Sequence, residues 1–252
     1  MMHMKEDYYM KTGIFRAGYN VQLGESDEYI RNITVIQDRN DSHALIPFLE
    51  SYHSRYQEYP SIAAADSGYG IYSNYLYCLN HRIMPAIKYP LYEREKTVKF
   101  RKQRYRSENL LQKENGKLFC PRHREFIYQR DETDKHGEFK AITQIWQCAT
   151  CNRCPYAKQC KKSSGPRTVQ VNVVMNDIRK ETRELLDSPA GIELRQQRCI
   201  QAEGAFGIIK NDWNYDRLHR RGMNNVDNEL YLVCMGYNLR KYYQKQLRKS
   251  LS

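Results

Sequence analysis

Apolar and polar positions alternate in two runs near the start of the chain, GYNVQLGE (18–25) and YIRNITVI (29–36), joined by the polar pair Ser26-Asp27. Alternation with β-branched residues on both sides of a polar link predicts a β-hairpin. Asp41 then opens a stretch in which Leu45, Phe48, Leu49 and Tyr52 recur at helical spacing, so a helix is expected over 41–57. The short small-apolar run 61–65 reads as a buried strand that stops at Asp66-Ser67-Gly68. A helix over about 73–80 and a strand over 86–89 complete the order β-β-α-β-α-β. From 91 to 170 the pattern breaks into basic runs, a polar stretch over 129–138 and a cluster of cysteines, the look of an insertion between core elements. Beyond it, 176–212 predicts one long helix or two, interrupted near Ser188-Pro189. A last helix is expected over 226–247, where Val226, Leu230, Val233, Cys234 and Tyr237 form an apolar stripe. The chain therefore divides into 1–90, 91–170 and 171–252.

Charge adds a partner to this picture. The formal net charge of +12 favours polyanions, with counterion release from DNA or RNA supplying affinity. No run approaches the ~20 apolar residues that span a bilayer, and the opening Met1-Met2-His3-Met4-Lys5-Glu6-Asp7 has no apolar signal core. A reducing cytoplasm is therefore expected, and there the eight cysteines read as metal ligands more readily than as disulfides. Two adjacent methionines leading straight into a mid-domain-looking segment resemble a reading frame begun at an internal methionine.

Two acidic positions stand out. Asp66 sits where a strand should end, the place where open α/β sheets bind ligands; Asp-Ser-Gly is equally good turn or cap chemistry. Glu203 and Lys210 are seven apart, so on an α-helix they would differ by about 20° around the axis. Ala202, Ala205, Phe206 and Ile209 take the neighbouring face. An acid and a base on one rim suit a polyanion site, and a solvated charge pair fits the same spacing.

Taken together these segments resemble a family. Ala65-Asp66-Ser67-Gly68-Tyr69-Gly70 resembles the strand-end motif that carries the second catalytic Asp of bacterial insertion-sequence DDE transposases. The run from Arg198 to Lys210 resembles their helix with the third acid, a Glu followed seven residues later by Lys. Arg221-Gly222-Met223-Asn224-Asn225-Val226, Glu229 and Gly236-Tyr237-Asn238-Leu239 resemble their C-terminal signature, and Ala17-Gly18-Tyr19-Asn20-Val21-Gln22 their second strand. The resemblance implies an α/β, RNase H-like mixed sheet with flanking helices, here without its first strand, the strand that carries the first catalytic Asp. Asp7, Asp27, Asp38 and Asp41 fall in the wrong elements to replace it. It implies Asp66 and Glu203 as catalytic residues holding Mg2+ or Mn2+, with Lys210, Arg220 and Arg221 along the DNA. It further implies transposon-end cleavage and strand transfer, negligible in this chain alone, with transposon ends and target DNA as partners in a bacterial, nucleoid-associated setting. A homodimer stays open. The alternative is a non-catalytic, zinc-containing DNA-binding regulator of the same ancestry.

The cysteines form the strongest ligand pattern. Cys148-x2-Cys151-x2-Cys154-x5-Cys160 follows Cys120 and His123. Short paired spacings let two thiolates meet one tetrahedral Zn2+. The favoured set is Cys120, Cys151, Cys154 and Cys160, with Cys148 or His123 as alternates, in a small basic zinc-ribbon-like insertion. Cys78, Cys199 and Cys234 sit on apolar faces and read as core residues. Trp213 and Tyr215, close to Lys210, fit either base stacking or the packing of a helix end.

Overall fold

The computed structural model describes residues 5–6, 15–16, 18–112, 116–134, 138–161 and 163–251. The readings that fell on Met1, Met2, Asp7 and Ala17 lie outside the described residues. Two compact units share the chain, Met1–Lys88 with Leu185–Ser252, and Tyr89–Glu184. Both are mixed α/β.

The first unit starts with the expected hairpin, β1 (Asn20–Ser26) paired antiparallel with β2 (Tyr29–Ile36). Its turn falls one residue later than the sequence pattern placed it, at Asp27 and Glu28, whose φ angles are 57° and 66°. Two successive left-handed residues give the turn that follows the twist of paired strands. A short 3-10 turn, Asp41–His43, is capped by Asn40 and leads into α1 (Leu45–Tyr56). Next come β3 (Ile62–Ala65), α2 (Tyr72–Asn80) and β4 (Met84–Ile87). β3 and β4 pair in parallel, and α2 is the crossover that such pairing needs. The buried Tyr75 hydroxyl ties α2 to the sheet by donating to the Ile87 carbonyl at 2.8 Å.

One continuous mixed sheet was expected, and the described residues of this unit form separate two-stranded pieces: β1 with β2, β3 with β4, and the short pair Lys5–Glu6 with Phe15–Arg16. The reason is visible beside them. β1 and β3 both border a pocket, and neither hydrogen-bonds to the other across it. For the same reason β3 is half-exposed, where its small apolar residues predicted burial.

In the second unit β5 (Phe126–Thr133), β6 (Ile142–Cys148) and β7 (Thr168–Val171) form an antiparallel sheet in the order β7-β6-β5. Leu118, Cys120, Phe126, Cys148 and Val169 form a small buried cluster in this unit. Helix α3 (Val173–Asp187) follows, and its Arg183 donates to the Tyr89 hydroxyl at 3.0 Å and pairs with Glu95.

The chain re-enters the first unit through the break expected at Ser188-Pro189. Ser188 caps α4 (Pro189–Arg198) by accepting from the Gly191 amide at 3.1 Å, and Pro189 fills the first turn, where its missing N–H costs nothing. The helix then continues through a π turn (Cys199–Glu203), one α turn (Gly204–Gly207) and a second π turn (Ile208–Asp212). A loop leads to the long α5 (Met223–Leu251). Val226, Leu230, Cys234 and Tyr237 of α5 bury with Ile30, Ile33 and Val35 of β2 and with Ala205 and Ile209. The predicted stripe thus faces the hairpin, and Val233 packs at its margin. Among the described residues no helix is long and apolar enough to cross a membrane.

Gly191 is where this packing leaves least room. A Cβ there would lie 2.0 Å from the Leu185 carbonyl oxygen and 2.7 Å from the Leu186 Cα, both backbone. Gly191→Ala is expected to destabilise the protein by roughly 1–3 kcal/mol or more. Gly165→Ala, whose Cβ would meet nothing within 4 Å, should stay within about 0.5 kcal/mol. Urea unfolding of both variants checks the pair, and equal midpoints would refute the close contact.

Candidate functional site

The pocket between β1 and β3 has a volume of about 950 Å3, with α1 on one side and α4 with its π-turn continuation on another. Asp66, Glu203 and Lys210, three residues singled out from sequence, all line it. Asp66 follows the last residue of β3 and caps the next turn, its carboxylate accepting from the Ser67 amide at 2.7 Å. The cap reading and the site reading of this residue therefore hold together. Glu203 closes the first π turn and is exposed, while Ala205 and Ile209 of the same segment are buried. The 20° offset expected for Glu203 and Lys210 does not apply, because π turns close on the fifth residue instead of the fourth.

Other side chains complete the pocket that sequence reasoning missed. Asp41, set aside as lying in the wrong element, is one of them. Its carboxylate accepts from Asn20 Nδ2 at 2.6 Å, and it lies against the loop after Asp66, where a Cβ on Gly68 would come within 3.5 Å of the Asp41 Cβ. The buried Asn74 brings the two loops together by donating to the Ser42 carbonyl at 2.9 Å and the Tyr69 carbonyl at 2.8 Å. Tyr69 points its hydroxyl at the Gln22 side-chain oxygen. Burial, then the charges of Asp41 and Asp66, push its pKa up to about 12, so it remains a proton donor at neutral pH. Arg198 acts on Tyr69 in the opposite sense and also lines the pocket. No periodicity links Asp41 or Gln22 to Asp66; only the folded chain does.

Arg220 and Arg221 do not line the pocket. They sit on the exposed loop before α5, and Glu229 holds that loop. Its carboxylate accepts from the Tyr215 hydroxyl and from the His219 and Arg220 amides, both at 2.8 Å. Burial works to raise the Glu229 pKa, yet these hydrogen bonds outweigh it and hold the group below its ordinary range. Gly222, with φ of 83°, makes the final turn and donates its amide to the Tyr19 hydroxyl at 3.1 Å. Trp213 and Tyr215 pack against the hairpin core, Trp213 edge-on to Tyr237 with ring centroids 6.4 Å apart. The packing alternative is the one realised for both.

The cysteines were expected to gather in the second unit. Cys120, Cys148 and Cys151 pack into a small hydrophobic cluster there. Two similar turns carry the other candidates. His123 (φ 58°) donates its amide to the Cys120 carbonyl at 2.8 Å, and Cys154, following Arg153 (φ 51°), donates to the Cys151 carbonyl at 3.4 Å. Arg167 donates its amide to Cys151 Sγ at 3.5 Å and its guanidinium to Cys160 Sγ at 3.1 Å. Among the described residues no group of three or more His, Cys, Asp or Glu side chains is gathered closely enough to hold a metal ion. Cys78 and Cys234 are buried as expected, whereas Cys199 is half-exposed beside Arg198.

Residues 119–243 match the family model described as Transposase DDE domain. This chain carries a transposase DDE domain. The matched DDE segment spans Glu203, Lys210, Arg220, Arg221 and the cysteines from Cys120 to Cys160, and Asp66 lies outside it. Neither a curated protein nor a solved structure matches the chain.

Glu25 gives the pocket a pH signature. It lines the pocket from β1, and both carboxylate oxygens are buried without a hydrogen-bond partner. Burial raises its pKa from 4.5 to about 7, against a smaller opposite pull from Lys241. The folded chain then binds more protons than the unfolded chain between those two values, so this group makes stability fall as pH rises from about 4.5 to about 7. Glu25→Gln is expected to raise the melting temperature more at pH 8 than at pH 5. An equal shift at both pH values would show that Glu25 ionises normally.

Proposed function

We propose that the pocket is the DNA phosphodiester site of an insertion-sequence transposase with an RNase H-like catalytic domain, acting on transposon ends and target DNA. One observation carries this reading: a strand-end Asp66 and a Glu203 distant in sequence line the same pocket with Lys210. Among the described residues β1 and β3 have no strand partner on the edges beside the pocket, which supports the RNase H-like order, in which a central strand lies between their counterparts.

The donor set suits the implied ion. Asp66 and Glu203 are exposed carboxylates, and hard Mg2+ or Mn2+ takes few protein oxygens and completes its shell with waters and phosphate. These two residues would hold the ion, whose chemistry is to polarise a phosphoryl oxygen and acidify a bound water. Lys210, beside them, offsets phosphate charge. Arg220 and Arg221, positioned by Glu229, extend a cationic track along the backbone. The resemblance calls for three acids and places two of them here, so this chain alone should bind DNA and divalent ions and cut negligibly. Its setting in this reading is the bacterial nucleoid.

We further infer that the cysteine segment is a zinc-ribbon-like element with a structural Zn2+. The shared packing of Cys120, Cys148 and Cys151 supports this, as do the two similar turns at Cys120–His123 and Cys151–Cys154.

Three measurements test these readings. With Fe2+ replacing Mg2+ under peroxide and ascorbate, backbone scission is expected beside Asp66 and Glu203, and lost in Asp66→Asn and Glu203→Gln; scission at neither place sinks the metal assignment. Lys210→Ala should weaken duplex binding and lower the salt slope by about 1. For the second unit, elemental analysis after gentle purification should give about one zinc per chain. Cys151→Ser should lose it and Cys78→Ser keep it, while metal-free wild-type protein with intact folding would end the zinc reading.

A further inference from the structure

The first unit has a second pocket, along the outer edge of β2 beneath the end of α1 and one flank of α5, with a volume of about 470 Å3. Four tyrosines line it, Tyr29, Tyr56, Tyr231 and Tyr242, and its charged lining is Arg31 and Arg55. No carboxylate lines it, in a chain with 29 acidic residues. Asp227 feels the charge of Arg55, and burial raises its pKa.

An edge strand invites another strand, but this edge is occupied. Asn238 accepts from the Ile30 amide at 2.9 Å and donates to the Ile30 carbonyl at 2.8 Å. The Tyr56 hydroxyl donates to the Arg31 carbonyl at 2.8 Å, and Arg55 donates to the Ile33 carbonyl at 3.4 Å. A peptide adding to β2 would find these backbone positions taken, which disfavours strand addition. Ring faces are what the groove leaves open. Tyr56 is 42 % and Tyr242 56 % exposed. Tyr56 is held in place by its hydroxyl and by Tyr52, with ring centroids 4.6 Å apart. The Arg55 guanidinium lies over the Tyr231 ring at 4.7 Å from its centroid and also donates to the Tyr231 hydroxyl.

Held aromatic faces beside cations, with no carboxylate between, match an unstacked base attached to a phosphate. The volume is that of a small-molecule site, room for one or two splayed bases and too little for a duplex, whose bases stay stacked within. We propose that this groove binds single-stranded nucleic acid, with unpaired bases stacking on Tyr56 and Tyr242 and flanking phosphates meeting Arg31 and Arg55. The groove adjoins the acidic pocket, with Arg31 and Asn32 bordering both, whereas Tyr56, Tyr242 and Arg55 line only the groove.

Fluorescence anisotropy with a short labelled oligothymidylate and with a labelled duplex tests it on the full chain. Tyr56→Ala with Tyr242→Ala should weaken oligothymidylate binding by roughly five- to a hundredfold and duplex binding by less than about twofold. The corresponding Phe substitutions should keep the affinity. Photocrosslinking of the unsubstituted protein to a 5-iodouracil oligonucleotide should label Tyr56, Tyr231 or Tyr242, a readout independent of how well the alanine variant folds. Crosslinks confined to other segments, or equal losses on single strand and duplex, overturn the proposal. So does unchanged oligothymidylate affinity with a dimer that dissociates in sedimentation, which would give the face to a second copy of this chain. Loss of duplex affinity in Lys210→Ala reports on the acidic pocket alone, so either reading can fail without the other.

Discussion

Three asparagine side chains take hydrogen-bonding positions that the first unit's backbone leaves open. Asn238 on α5 reads both polar groups of Ile30 at the edge of β2. Asn32, on the same strand, donates to the Phe48 carbonyl of α1 at 2.9 Å. Asn74 joins the carbonyls of Ser42 and Tyr69. A side-chain amide carries a donor and an acceptor in one rigid plane, so it can stand in for a missing stretch of sheet or turn. A buried backbone group without a partner would cost about 1–3 kcal/mol. The hairpin, α1, α5 and the loops around Asp66 are therefore locked by few groups, each with little freedom to shift.

That locking decides what the acidic pocket can be. Asp41 and Asp66 come from loops separated by a whole helix and strand, and Asn74 fixes the two loops against each other. Glu203 arrives on a segment whose buried Ala205 and Ile209 dock on the hairpin. Like charges are thus held near one another by packing that gains nothing from their proximity. Rigid elements supply the geometry, and the Lys210 side chain on the same pocket is placed to offset part of the charge. The raised pKa of Tyr69 records burial and the charges of Asp41 and Asp66, and that of Glu25 records burial.

Local features were the most legible in sequence. The alternation at 18–36, the Ser188-Pro189 break and the stripe from Val226 to Tyr237 each arise within one element, and each element formed. Asp66 was legible because a strand end followed by Asp-Ser-Gly is a local event. Asp41, Gln22 and Glu25 were not, since their roles depend on which strand edges face the pocket. The helical phase of Glu203 was misjudged because nothing in Cys199–Glu203 marks a π turn; the sequence there suits either hydrogen-bond pattern. Trp213 looked available beside Lys210, and only the tertiary core shows its ring taken up against Tyr237.

The two π turns have a further meaning for how such a chain changes over generations. A π turn is an α turn holding one residue more than it needs. One lies on each side of the α turn Gly204–Gly207. A single-residue deletion in either can be absorbed by reverting to α geometry locally, leaving the other half of the segment in register with the hairpin. The interval between Glu203 and Lys210 is therefore a quantity that the fold lets vary by about a residue while Ala205 keeps its seat, and the acid-bearing segment tolerates small length changes better than an unbroken helix would.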